Sequence, residues 1–103
     1  MRTRALGRSG LQVSEVSLGS WLTLGSQVDY DETSRLVHRA FDLGVFVFDT
    51  ADVYQDGEAE RALGQAIQSI PRQHVVLATK CFFPMSERPN DRGLSRKHIF
   101  RSV

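Results

Sequence analysis

The sequence predicts an α/β chain built on a parallel sheet. Short unbroken apolar runs, VFVF at 45–48 and VVLA within HVVLAT at 74–79, have the look of buried strands. Stretches with helical spacing of apolar residues alternate with them, and strand–helix alternation calls for a parallel sheet with right-handed crossovers. At 103 residues the chain is at most one domain, 1–103, just long enough to bury a core.

The elements follow in order. Within TRALGRSGLQV, residues 3–13, glycines at both ends of the GRSG link suit a tight hairpin. VSEVSLGS, residues 13–20, alternates weakly and is expected to form a strand ending at Gly19. A loop, SWLTLGSQVDY, holds the only tryptophan, Trp21. Asp31 is expected to cap a helix whose apolar stripe is Leu36, Val37, Ala40 and Phe41, with Gly44 just past its end. VFVF then forms a strand covered on both faces. A second helix is expected from about Glu58 to Ser69, burying Ala59, Ala62, Leu63, Ala66 and Ile67, with Pro71 beyond its end. HVVLAT is a further buried strand beginning at His74. PMSERPNDRG is the one linker-like stretch, and Ser95 caps a helix that runs toward Val103.

Two architectures fit this order: an open doubly wound sheet, or the opening of a (β/α)8 barrel. The open sheet usually carries G-x-G-x-x-G after its first strand, and GSWLTLG at 19–25 does not match.

Composition excludes several roles. Thirteen Lys and Arg against 12 Asp and Glu give no net basic field for nucleic acid or a membrane surface. The local basic cluster RGLSRKHIFR is expected to be the solvated start of a helix rather than an anion site. A single cysteine, Cys81, forms no internal disulfide and has no metal-ligand spacing around it, so no metal site is expected. Cys81 itself is expected to be a buried small apolar residue. The N-terminus lacks the apolar segment of a secretory leader, and no run approaches the roughly 20 apolar residues of a membrane span. The expectation is a soluble, cytoplasmic protein.

Three residues stand where the strands run out. Every strand of a parallel sheet delivers its C-terminal end to one rim, so Asp49, closing the second strand, and Lys80, closing the third, can pair there. Tyr54 lies in the loop above them. A free tyrosine, pKa about 10, is a poor proton donor at neutral pH. A neighbouring ammonium favours the phenolate left behind, and a carboxylate keeps the lysine charged and in place. Together they would form a general acid able to protonate a carbonyl oxygen. The alternative is an unconnected trio: an acid in a turn, an exposed phenol and a snorkelling lysine.

The flanking segments decide between these. GVFVFDTADVYQDGEAERALGQAI resembles the signature of the aldo-keto reductases, and LGRSGLQVSEVSLGSW resembles that family's hairpin and first strand. NDRGLSRKHI is similar to the branch that holds the voltage-gated potassium channel beta subunits and bacterial glyceraldehyde-3-phosphate reductase-like enzymes.

The resemblance implies the N-terminal part of a (β/α)8 TIM barrel, with the hairpin and about three βα units present. It further implies reduction of an aldehyde or ketone by hydride from NADPH (NADP+ when oxidised), with Tyr54 as acid, Lys80 as its modulator and Asp49 as the lysine's partner. Ser20, Trp21, Gln27 and Asp49 match cofactor-binding positions. The family's fourth catalytic residue, His or Asn after a fourth strand, has no counterpart in these residues. The implied partners are a small carbonyl substrate and, in the full-length protein, a homo-oligomer. Asp52, Glu58 and Glu60 are expected on the surface or at a helix start, and His38, His74 and His98 in structural or exposed roles. Taken alone, the 103 residues are expected to be nearly inactive. Two other readings stand beside this one: a channel beta-like regulatory subunit, and a truncated product with no function of its own. The start of the chain close to the hairpin, with no inactivation segment before it, weighs against the regulatory subunit.

Overall fold

The computed structural model describes all 103 residues. Strands β1 (Thr3–Ala5) and β2 (Gln12–Ser14) pair antiparallel, with Thr3 opposite Ser14 and Ala5 opposite Gln12. The turn between them needs left-handed backbone at Gly7 and Gly10, where only glycine is unstrained. The strand expected over 13–19 is interrupted. Ser14 Oγ donates to Val16 O at 2.7 Å and turns the chain, so only β3 (Leu18–Gly19) joins the parallel sheet. Ser14 Oγ also accepts from Phe46 N at 3.3 Å, which fastens the hairpin to the end of the sheet remote from the rim.

Helix α1 spans Tyr30–Asp42. Its N-cap is Asp29, not Asp31: Asp29 has extended backbone and its side chain accepts from Glu32 N at 2.8 Å. Asp31 lies in the first turn, where a negative charge is favourable against the helix dipole. At the other end Gly44, at φ +86°, donates to Phe41 O while Val45 N donates to Ala40 O, the paired bonds of a Schellman ending. Thr33 and Val37 are the buried residues of α1, whereas Leu36, one position away from Val37 around the helix, is exposed.

Strand β4 (Val47–Asp49) is followed by a short 3-10 turn (Tyr54–Gly57) and helix α2 (Glu58–Ala66). The helix stops three residues before the expected Ser69. Gln68 N and Ile70 N bond three residues back, and the tightened turn brings Ile70 into the core. A second 3-10 turn (Arg72–His74) precedes β5 (Val76–Ala78), so His74 belongs to that turn rather than to the strand. Helix α3 (Arg96–Ser102) starts at the expected cap, Ser95, which accepts from His98 N.

The sheet order is β3-β4-β5, all parallel, with Asp49 opposite Gly19 on one side and Ala78 on the other. Helices α1 and α2 pack together, and Val37, Ala62, Leu63 and Ala66 meet Phe48, Leu24, Ile70 and Val75 in one core. The buried alanines of α2, Ala59, Ala62 and Ala66, keep that face of the helix small where it packs into the core. Phe48 is fully buried against this layer, but Phe46, Val47, Val76 and Leu77 are only half-buried. The expectation of strands covered on both faces is met on one face, because both packed helices lie on the same side. Sequential parallel order excludes a 2-1-3 sheet but is shared by a barrel opening and by half of a 3-2-1 sheet. No helix is long and apolar enough to cross a membrane.

Candidate active site

The parallel ladder continues past the strand ends and gathers the rim residues. Ser20 N donates to Asp49 O at 3.0 Å, Thr50 N to Ala78 O at 2.8 Å, and Asp52 N to Lys80 O at 3.1 Å. The ends of all three parallel strands are thereby locked in register, and the lysine two residues beyond β5 is set beside the acid that ends β4.

Lys80 Nζ lies 2.9 and 2.8 Å from the two Asp49 carboxylate oxygens, 2.8 Å from Thr50 O and 3.3 Å from Tyr54 Oη. It also sits 5.0 Å from the centre of the Tyr54 ring. Desolvation, the largest single influence, pulls the ammonium toward its neutral form. The hydrogen bond to Asp49, then that to Tyr54, and the attraction of both outweigh it, so Lys80 titrates above the ordinary lysine value. The structure thus brings together Asp49, Tyr54 and Lys80. Thr50 O is a further lysine acceptor that no side-chain pattern could announce.

Tyr54 opens the 3-10 turn, and the next two residues, Gln55 and Asp56, both have left-handed backbone (φ 52° and 53°). Such conformations are uncommon outside glycine, and they turn the chain sharply from the tyrosine into α2. Trp21 stacks on Tyr54 with ring centroids 6.1 Å apart and planes inclined by 27°. One face of the indole remains open, since the residue is 62% exposed. Ser20 is buried beside Asp49, and its hydroxyl has no hydrogen-bond partner. Gln27 is exposed in the following turn and makes no hydrogen bond to these groups.

The loop carrying Trp21 is held against α2. Leu24 is buried in the core, Gly25 lies against the Glu58 backbone, and Tyr30 Oη donates to Glu58 Oε2 at 3.1 Å. That bond, with lesser help from desolvation, raises Tyr30 above the ordinary phenol value. Glu58 also pairs with Arg61, and Glu60 accepts from Thr79 Oγ1, so both have the structural roles expected of them.

Two residues, Asp52 and Cys81, differ from expectation, while His98 is buried as the structural reading of it allows. Asp52 is buried rather than at the surface, with both carboxylate oxygens inaccessible and unpartnered. His98 is buried beside it, 2% exposed, while His38 holds Ser69 Oγ at the surface. Cys81 is half-buried, because the chain leaves the sheet at Lys80 and nothing packs over the thiol completely.

The chain belongs to the aldo/keto reductase family, a family of oxidoreductases, whose sequence profile matches residues 15–103. Among curated proteins it is 48% identical over 105 residues to a probable voltage-gated potassium channel subunit beta of Oryza sativa subsp. japonica, covering 100% of this chain and 32% of that protein. A putative subunit of the same kind from Schizosaccharomyces pombe is 45% identical over 97% of this chain and 30% of its own length. Among solved structures, aldo-keto reductase AKR11C1 from Bacillus halodurans in its holo form superposes with a TM-score of 0.70 at 33% identity, over 85% of this chain and 29% of that one. The thermostable aldo-keto reductase Tm1743 superposes with a TM-score of 0.79 at 27% identity, over 99% and 36%. The chain spans about a third of the length of these relatives.

Proposed function

We propose that residues 1–103 form the N-terminal part of one (β/α)8 barrel domain, the hairpin and about three βα units, in an NADPH-dependent reductase of aldehydes or ketones. The observation that carries this reading is a single ammonium, Lys80 Nζ, within hydrogen-bonding distance of both Asp49 oxygens and of Tyr54 Oη. The likeness to solved aldo-keto reductases supports the barrel over the doubly wound alternative.

Tyr54 Oη gives its proton to the substrate carbonyl oxygen. The phenolate left behind accepts a hydrogen bond from Lys80 Nζ, already 3.3 Å away. Asp49 holds the lysine charged and fixed, and Thr50 O takes another of its donors. Trp21 covers one face of the phenol and leaves an open aromatic face on the rim. The hydride for the carbonyl carbon comes from NADPH when it is bound. The residues fit such a ligand: Ser20 has a buried, unspent hydroxyl at the rim, and Trp21 and Asp49 adjoin it. Gln27, exposed in its turn, would join them only by contacts made to the ligand itself.

In the intact reductase carrying this segment, Tyr54→Phe is expected to lower kcat for an aldehyde by about 10²–10⁴, with binding of NADPH retained. Undiminished turnover by that variant would sink the reading. The 103 residues alone, a third of the relatives' length, are expected not to reduce carbonyls at rates typical of intact reductases. A second reading draws on the names of the curated relatives: a regulatory subunit that assembles with a potassium channel. Co-purification of the full-length protein with a potassium channel, independent of Tyr54, would favour it.

A further inference from the structure

The loop between β4 and Tyr54 contains a buried carboxylate that accepts no hydrogen bond. Leaving an ionised group so placed is costly unless a partner compensates it. The candidate partner is His98 on α3, whose Nε2 lies 3.9 Å from Asp52 Oδ2. The other ring nitrogen, Nδ1, is 2.8 Å from Gly93 O. A carbonyl oxygen only accepts, so Nδ1 carries a hydrogen. A neutral ring would then turn the lone pair of Nε2 toward a carboxylate oxygen. Two acceptors facing each other inside the protein repel unless a proton lies between them.

We propose that the Asp52–His98 pair carries one proton, on one partner or the other, and that this buried clasp positions the loop from which Tyr54 acts. The proton is carried either by the imidazole or by the acid. In both forms α3 is tied to the chain two residues before Tyr54.

Asp52 is where two constraints cross. Its backbone N–H holds Lys80 O at 3.1 Å, which sets the lysine beside Asp49, while its side chain meets α3. His98 in turn is fixed by Gly93 O and by the Ser95 cap on its own N–H. Asp56, Glu60, Arg61 and Arg101 line the same cleft. They contribute two charges of each sign, so no surplus positive charge there stands in for the pair's proton.

The proposal deepens the reductase reading and rests on Tyr54 as proton donor, but its first test needs no turnover. Nitrogen-15 NMR of the His98 ring is expected to show Nδ1 protonated and Nε2 displaced from the signal of a free lone pair. In Asp52→Asn the Nε2 signal should return toward the unprotonated value. A free lone-pair signal in the unmodified protein overturns the clasp, even if Asp52→Asn fails to fold; an unchanged signal in that variant does so as well.

The second test uses the intact reductase. His98→Leu is expected to lower kcat for a carbonyl about tenfold or more with KM little changed, since small misplacements of a reacting group are expensive. His98→Gln, whose amide can still donate to Asp52, is expected to recover most of that loss. An unaltered kcat in His98→Leu, or a glutamine variant no better than leucine, overturns the positioning role. Failure of the reductase reading would show instead as an active Tyr54→Phe, with the nitrogen signature of His98 intact.

Discussion

Alanine at Gly25 would show whether contact with α2 is what holds the loop carrying Trp21. Gly25 has φ +80°, and a Cβ there would lie 2.7 Å from both the carbonyl carbon and oxygen of Glu58 and 3.0 Å from Ala59 N. These are backbone atoms of the first turn of α2, so no rotamer change relieves the clash. Left-handed backbone costs an alanine about 1–2 kcal/mol by itself. Pushing the loop back to ordinary contact adds about 1–3 kcal/mol, the usual range for overpacking.

Gly10 is a matched control: its φ is +79°, and nothing lies within 4 Å of the added Cβ. Gly25→Ala is therefore expected to lose about 2–5 kcal/mol and Gly10→Ala at most about 1–2 kcal/mol. Urea titration followed by circular dichroism and by the fluorescence of Trp21, the sole tryptophan, measures both losses. In the folded state only Gly25→Ala should shift the Trp21 emission, as its stack on Tyr54 loosens. Equal losses in the two variants would refute the idea that the loop is pressed onto α2.

Asp29→Ala is expected to destabilise the protein by about 1 kcal/mol and Asp31→Ala by only a few tenths, about the difference between a lost cap and a lost dipole contact. The opposite order in urea titration would move the start of α1. Lys80 gives a pH prediction. Its folded value is raised, so its contribution to stability is complete below the ordinary lysine value near 10.5 and is lost as pH rises through the folded value. In Asp49→Asn the strongest support for the charge is gone and desolvation remains, so the Lys80 midpoint in an NMR titration should fall; an unmoved midpoint would discount the ion pair.

Much of this arrangement is legible in the residues because a parallel sheet converts strand endings into neighbours. Asp49 and Lys80 are 31 positions apart, yet each follows an apolar run, and the ladder sets them 2.8 Å apart. What is not legible depends on more than local pattern. VFVF reads as a strand covered twice because its residues are apolar throughout, but composition does not say how many covering layers are present. Asp29 and Asp31 are equally good caps by type. The choice is made upstream, where Leu24 bridges to Val28 and delivers Asp29 in extended backbone. Gln27 matches a cofactor position by resemblance alone; the loop that holds it is legible in SWLTLGSQVDY, but the direction its side chain takes there is not.

Asp52 is the most instructive of the missed residues, because a signal for it does exist. The stretch DTADVYQD holds three acids with no obvious rank among them. The pairing of Thr50 N with Ala78 O and of Asp52 N with Lys80 O carries the β4–β5 ladder beyond its last strand residues. Side chains alternate between the two faces of such a ladder. Phe48, Thr50 and Asp52 share one parity and are all buried; on the other parity Asp49 meets Lys80, although the small Ala51 is buried there too. An acid on the parity of the core calls for a buried donor. Among the three histidines, His98 is the buried one, brought there by a helix that starts at the legible cap Ser95. Asp49 and Asp52 thus bracket the start of the loop that carries Tyr54, the first turned to Lys80 and the second to His98 on α3.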